Sequence, residues 1–153
     1  MNSKQKENRY KRIIDQLLPL FEQTKDPFAR IATATALLHN KMDHFFWTGY
    51  YRLINGELTV TSYQGSLACL VLGKDTGVCW AGINREKSII VEDVEKFPGH
   101  IACDGRSKSE IVIPVRDQAN EIVGIFDVDS KDPAAFDEID QNYLEKIFAK
   151  IYF

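Results

Sequence analysis

The reactive atoms of this sequence are three sulfurs, at Cys69, Cys79 and Cys103. Cys103 lies in FPGHIACDGRSKSE, residues 97–110, where Pro98-Gly99 and Asp104-Gly105 are turn signals. His100 precedes it by three residues and Arg106 follows it by three. The thiolate is the nucleophilic form of cysteine and nearby cations favour it, a field that Arg106 and Lys108 could supply. The same loop is equally consistent with a partly buried thiol packed on the domain. Cys79 falls near the start of a predicted short helix, where backbone N–H groups favour a thiolate. Its neighbours Val78 and Trp80 suit a buried, inert thiol just as well. Cys69 follows Gly65-Ser66-Leu67-Ala68 at a loop-to-strand junction that would let it move toward another sulfur.

Proton chemistry needs acids, and strand geometry gathers two, with Glu110 a third if it reaches the same space. Side chains two apart on a strand share a sheet face, so Asp127 and Asp129 project together after the apolar run 122–126. Two carboxylates that close repel, which raises the pKa of one and makes it a proton donor near neutral pH. With Glu110 in the same space, three acids would suit a cationic amine or proton delivery. For Asp129 alone, the plainer reading is a strand end and a turn at Asp129-Ser130. Trp47, Gly49 and Tyr51 share a face by the same parity, with Gly49 leaving room between two rings for an apolar slot. Aromatics on a central strand also serve simply as core.

The elements that must position these groups are legible from periodicity. Residues 4–24 read as an amphipathic helix, with Tyr10, Ile13, Ile14, Leu17, Leu18 and Phe21 on one face and Pro19 expected to kink or end it. Asp26-Pro27 starts a second helix that should carry Phe28, Ile31, Ala34 and Leu38 inward and end near Lys41. Residues 45–54 and 57–63 flank Asn55-Gly56, a strong hairpin signal. A short strand near 69–72, a helix from about 76 to 84 and a strand over 88–92 follow. Strands over 110–116 and 121–129 form a second hairpin, in which Pro114 marks a sheet edge or bulge. A helix capped by Asp137 closes the chain, with Ile139, Tyr143, Leu144, Ile147 and Ile151 as its stripe.

This order predicts an α+β sandwich: one central antiparallel sheet, the N- and C-terminal helices on one face, and a loop-rich cover over residues 64–109 on the other. A ligand pocket between cover and sheet is the consequence. A length of 153 residues favours one domain, residues 1–153, with its N-terminal helix inside residues 1–25. Apolar residues at 44% and charged residues at 27% are the profile of a globular protein. The net charge of −3 comes without a basic block, so nucleic acid and anionic membrane are poor candidate partners. No stretch is apolar enough to span a bilayer, and MNSKQKENRYKR lacks the core of a secretory signal, so the expected location is the cytoplasm. Thiols stay reduced there, and an odd cysteine count argues against a purely structural disulfide framework.

Several segments together resemble the free methionine-(R)-sulfoxide reductases, a family of single GAF domains. They are QGSLACLVLGKDTGVCWAG around Cys69 and Cys79, FPGHIACDGRSKSEIVIPV around Cys103, IVGIFDVDS around Asp127 and Asp129, WTGYY at 47–51 and FDEID at 136–140. The resemblance runs from about Asp26 to the end of the chain; Trp80 and Lys131 depart from the family's pattern. It implies a GAF-like fold, Cys103 as the catalytic cysteine, Cys69 as the resolving cysteine that forms a disulfide with it, and Cys79 as an accessory. It further implies that Glu110, Asp127 and Asp129 hold substrate and assist proton transfer, and that Trp47 and Tyr51 wall the substrate's methyl group. The implied substrate is free methionine sulfoxide, of R configuration on the family's authority alone. No bound cofactor or metal is expected; electrons would come from thioredoxin, ultimately from NADPH. A homodimer is the expected assembly, although no residue pattern marks its interface.

Two other readings compete. GAF domains also sense small ligands without chemistry, and fold does not fix function. A zinc-stabilised interaction domain would use Cys69, Cys79, Cys103 and His100, of which only His100-x-x-Cys103 has ligand-like spacing.

Overall fold

The structure is a computed structural model; it describes residues 1–100 and 103–153. Helices α1 (Ser3–Phe21) and α2 (Pro27–Lys41) lead into the hairpin β1 (Trp47–Ile54) and β2 (Glu57–Gln64). A two-residue strand β3 (Val71–Leu72), helix α3 (Gly77–Arg85), strand β4 (Ile89–Val91) and a 3-10 turn (Val94–Lys96) form the middle of the chain. The hairpin β5 (Ser109–Arg116) and β6 (Ile122–Ser130) and helix α4 (Glu138–Phe148) complete it. The six strands make one antiparallel sheet in the order β3-β2-β1-β6-β5-β4, which places the two long hairpins side by side at its centre.

Local chemistry explains the turns and ends. Asn55 and Gly56 both take positive φ (50° and 79°), the type I′ geometry that matches strand twist. Asp137 caps α4 by accepting from the N–H groups of Ile139 and Asp140. Pro114 has no β4 partner opposite it, because β4 pairs only with 110–112, so the sheet edge is open where the missing N–H would matter. A register shift follows at Val115/Arg116. The predicted kink at Pro19 resolves as an ending: α1 stops at Phe21, three residues short of the expected 24. Phe28 is a correction. It is 38% exposed, under the Arg52 guanidinium 4.5 Å from its ring centroid, and the inward face of α2 instead carries Arg30, Ile31, Ala34 and Leu38.

Side-chain alternation divides the interior in two. On one face, Tyr50, Ile111, Ile113, Phe126 and Val128 pack under α1, α2 and α4 as the larger apolar core. On the other, Trp47, Tyr51, Val112 and Ile125 meet Val78, Cys79 and Trp80 of α3. Gly82 allows this second contact: a Cβ there would lie 3.0 Å from Val112 Cγ2 and press into Ile125. The helical layer is tied by three buried charged side chains, Arg30 and the pair Lys6–Asp140. Arg30 donates to the carbonyls of Phe21 and Thr24 and of Lys150 and Ile151, joining the ends of α1 and α4 at the pole where helix dipoles accumulate negative charge. Asp140 accepts from Lys6 Nζ (2.7 Å) and the Tyr10 hydroxyl (2.6 Å), and lies 2.9 Å from His44 Nε2. Burial alone would raise its pKa; these three partners outweigh burial and hold it down at about 2. Among the described residues, no helix is long and apolar enough to cross a membrane.

Replacing Asp140 would leave the buried Lys6 ammonium without its closest anion. Asp140→Ala is expected to lower the unfolding free energy by about 3–5 kcal/mol, read as a drop in the urea midpoint at pH 7. A change below 1 kcal/mol would show that this cluster contributes little to stability.

Candidate active site

The candidate site lies between the sheet and its cover, where β1, β5 and β6 lie side by side. Pairing sets its floor: Glu110 stands opposite Asp129 across β5–β6, and Asp127 lies between Gly49 and Val112. All three acids face the cover, and they border a cavity of about 200 Å³. The Cys79 sulfur, from the first turn of α3, comes within 4.8 Å of a Glu110 and an Asp127 carboxylate oxygen. Glu110 and Asp127 are each only 5% exposed.

Trp47 and Tyr51 form the apolar wall, their rings stacked 5.9 Å apart. The room above Gly49 is not an open slot, because the Trp47 ring lies over it; a Cβ there would also stand 2.7 Å from Tyr63 Cβ. Tyr63 also stacks on Trp47, 5.6 Å between ring centroids, so the indole packs against two tyrosine rings. Its Nε1–H donates to the Ser66 carbonyl (3.0 Å), joining this wall to the segment that carries Cys69.

Cys69 and Cys103 form a disulfide across the mouth of the cavity, with Cα atoms 5.8 Å apart and 34 residues between them in sequence. That Cα separation is ordinary for a disulfide. Cys103 is exposed and Cys69 half-buried. Ile101 and Ala102 of the predicted Cys103 loop lie outside the described residues. Before them, Phe97-Pro98-Gly99-His100 is a turn closed by the His100 N–H on the Phe97 carbonyl (3.2 Å), with Gly99 at φ 75°. This turn delivers His100 to the cavity, with Nε2 buried and without a hydrogen-bond partner among the described residues. His100 entered the sequence reading only as a possible zinc ligand. The turn signal preceding it was visible, but its reach to Asp127 depends on the packing of the cover.

Burial dominates the electrostatics. It pushes Glu110 well above the usual carboxylate range, helped by the neighbouring Asp127 and Asp129. Asp129 is raised for the same reasons, burial first and then Asp127. Asp127 is raised by burial too, but Glu110, Cys79 and His100 oppose the shift, which leaves it the most readily ionised of the three. Cys79 is pushed well up by burial and then by the three acids, so the helix N-terminus does not make it a thiolate. Burial lowers His100, against the pull of Asp127. Arg106 is not a free cation for Cys103. It forms a forked pair with Asp104, Nε to Oδ1 at 3.0 Å and a terminal nitrogen to Oδ2 at 2.7 Å.

Cys79, Glu110 and Asp127 are the grouping among the described residues compact enough to hold a metal ion. Burial pushes the Cys79 thiol and the Glu110 carboxyl up, so an ion would bind there only by displacing their protons. The alternative zinc set is incompatible with this state, because its Cys69 and Cys103 sulfurs are bonded to each other.

An open antiparallel sheet with terminal helices on one face and a covered pocket on the other is the architecture of a GAF domain. The GAF domain family matches residues 28–151. Among characterised sequences, the chain is 44% identical over 143 residues to GAF domain-containing protein A of Dictyostelium discoideum, covering 93% of this chain and 89% of that protein. It is 34% identical over 146 residues to free methionine-R-sulfoxide reductase of Saccharomyces cerevisiae, covering 88% of this chain and 81% of that protein. The X-ray structure of free methionine-R-sulfoxide reductase from Neisseria meningitidis in complex with its substrate superposes with a TM-score of 0.87 at 32% identity, over 94% of this chain and 86% of that one. The chain belongs to the free methionine-R-sulfoxide reductase family of GAF domain proteins, a family of oxidoreductases.

A carboxyl group whose pKa is raised by folding keeps its proton in the native state where the unfolded chain has lost it. Native stability then falls as pH rises from about 4.3, the free glutamic acid value, toward the raised native value. Glu110→Gln removes that proton difference at nearly constant shape. In the oxidised protein, urea unfolding between about pH 5 and pH 8 should show a shallower decline for Glu110→Gln than for wild type. Parallel declines would show that Glu110 is ionised in the fold.

Proposed function

We propose that this protein reduces free L-methionine (R)-S-oxide to methionine, with Cys103 as nucleophile and Cys69 as the resolving thiol. The observation that carries this reading is the Cys69–Cys103 disulfide set over a cavity floored by three acids, of which Glu110 and Asp127 are buried. The cavity volume of about 200 Å³ lies below the ~300–1,000 Å³ of drug-sized ligand sites, which suits one amino acid better than a nucleotide. Asp127, the acid most open to ionisation, binds the ammonium group. The rings of Trp47 and Tyr51 take the thioether methyl. A pocket closed by a cover, with acids at its amine end, would suit a free ammonium better than a continuing peptide chain, which is the reason for a free amino acid. The R configuration follows the family.

The reaction divides into three balanced steps. The Cys103 thiolate attacks the sulfoxide sulfur while a proton from a neutral carboxylic acid, Glu110 or Asp129, reaches the sulfoxide oxygen. The oxygen passes to the Cys103 sulfur as a sulfenic acid and methionine leaves, reduced by two electrons. The Cys69 sulfur then forms a bond to the Cys103 sulfur, the sulfenic S–O bond breaks, and hydroxide leaves as water with the Cys69 proton. A thioredoxin-type dithiol reopens the disulfide by exchange, drawing ultimately on NADPH; no bound cofactor takes part. Cys79, held as a thiol against Asp127, is accessory. The protein works in the cytoplasm as a homodimer.

Cys103→Ser should abolish reduction of free methionine (R)-sulfoxide with thioredoxin, measured as NADPH oxidation through thioredoxin reductase. Retained turnover would refute the assignment of the nucleophile. Cys69→Ser should still release about one methionine per protein while cycling collapses; unchanged cycling would remove Cys69 from the mechanism. Asp127→Asn should lower kcat/KM by about 10²–10³-fold, the loss expected on removing a buried charged contact to substrate, with the fold intact by circular dichroism.

A further inference from the structure

The two cysteines sit on loops from different parts of the chain, and side chains other than sulfur join those loops. The Ser66 hydroxyl, three residues before Cys69, donates to Asp104 Oδ2 at 2.8 Å, one residue after Cys103. Asp104 is itself rigidly held. Its Oδ1 accepts from the Arg106 N–H (3.0 Å) and from Arg106 Nε (3.0 Å), and its Oδ2 from the Arg106 guanidinium (2.7 Å). The guanidinium lies over the Phe46 ring, 4.8 Å from its centroid, and Phe46 directly precedes β1. From the other side, Trp47 Nε1 holds the Ser66 carbonyl. Ser66 is thus gripped by its hydroxyl and its carbonyl, and both grips lead back to the start of β1.

We propose that Asp104 is a positioning residue for the resolving step, acting through Ser66. The Asp104–Ser66 hydrogen bond keeps the Cys69 loop against the Cys103 loop when no S–S bond joins them. Closure has Cys69 sulfur attack the sulfenic sulfur of Cys103, with loss of water. Its rate follows the effective concentration of one sulfur at the other, and loop tethering sets that concentration. The first step, attack on the sulfoxide, needs only Cys103 and the cavity. Asp104 therefore acts selectively on the second step. The hydrogen bonds from Arg106 hold the Asp104 carboxyl below the usual range, which favours its acceptor form near neutral pH. The inference rests on the proposed reductase cycle, but the tether itself can be read without substrate.

The test has two arms on wild type, Asp104→Asn, Ser66→Ala and Ser66→Thr. In a glutathione redox buffer, mass spectrometry of alkylated protein gives the effective concentration of the Cys69–Cys103 pair. Asp104→Asn and Ser66→Ala should lower it about tenfold, the scale of one charge-assisted hydrogen bond, while Ser66→Thr, which keeps the hydroxyl, stays near wild type. In rapid quench with free methionine (R)-sulfoxide, trapping with dimedone should show a longer-lived Cys103 sulfenic acid in the same two variants, with closure slowed several-fold more than methionine release. Unchanged effective concentration in both variants would overturn the proposal, as would equal slowing of release and closure. If wild type releases no methionine while the glutathione arm still separates the variants, the reductase reading fails and the tether stands.

Discussion

Three carboxyl groups crowded on one sheet face cannot all be anions without a large cost, and the rest of the site follows from that constraint. Each charge would face a desolvation cost and two like neighbours within a few ångströms. Burial pushes Glu110 and Asp129 well up, while the rise of Asp127 is opposed by Glu110, Cys79 and His100. Acids whose pKa values are pushed apart by their surroundings can divide the work, one suited to an ammonium group and another to proton delivery. Burial and the same acids push the Cys79 thiol up, which favours the Cys69 and Cys103 sulfurs as the reactive ones.

The sheet tolerates this arrangement because its other face is apolar and closed. Tyr50, Phe126, Val128, Ile111 and Ile113 are buried under three helices, and the buried charges in that layer are engaged: Arg30 with helix-end carbonyls and Asp140 with Lys6, Tyr10 and His44. Stability is concentrated there, which frees the cover to be built from loops, a short helix and a two-residue strand. Elements with few buried contacts are the ones that can move in function. Both cysteines of the disulfide lie in that cover, and Asp127 beneath them lies on a central strand. Rigid acids and adaptable sulfurs are the division that thiol exchange over a fixed binding floor requires.

The two strand hairpins, the terminal helices and the face shared by Asp127 and Asp129 were legible in the sequence, because periods of 2 and 3.6 are local properties. Asn55-Gly56, Asp26-Pro27 and Asp137 each mark a boundary by their own backbone preference, and the observed elements begin or end there. The family resemblance pointed to the Cys69–Cys103 pair, which the structure shows bonded; spacing alone left their partners open. Phe28 failed because a helical stripe has a width: Arg30, polar by type, was drawn inward by carbonyls at the ends of other helices, which no local pattern shows.

By itself, the sequence determined which residues share a strand face and where each helix starts, since these depend on neighbours within a few positions. Only the tertiary structure decided that Glu110 stands opposite Asp129, that Arg106 is spent on Asp104 rather than offered to Cys103, that the Trp47 ring fills the space over Gly49, and that His100 reaches the cavity. Each of these depends on strand register or loop packing between segments distant in the chain. The protonation state of every acid in the site depends in turn on the burial that such packing creates.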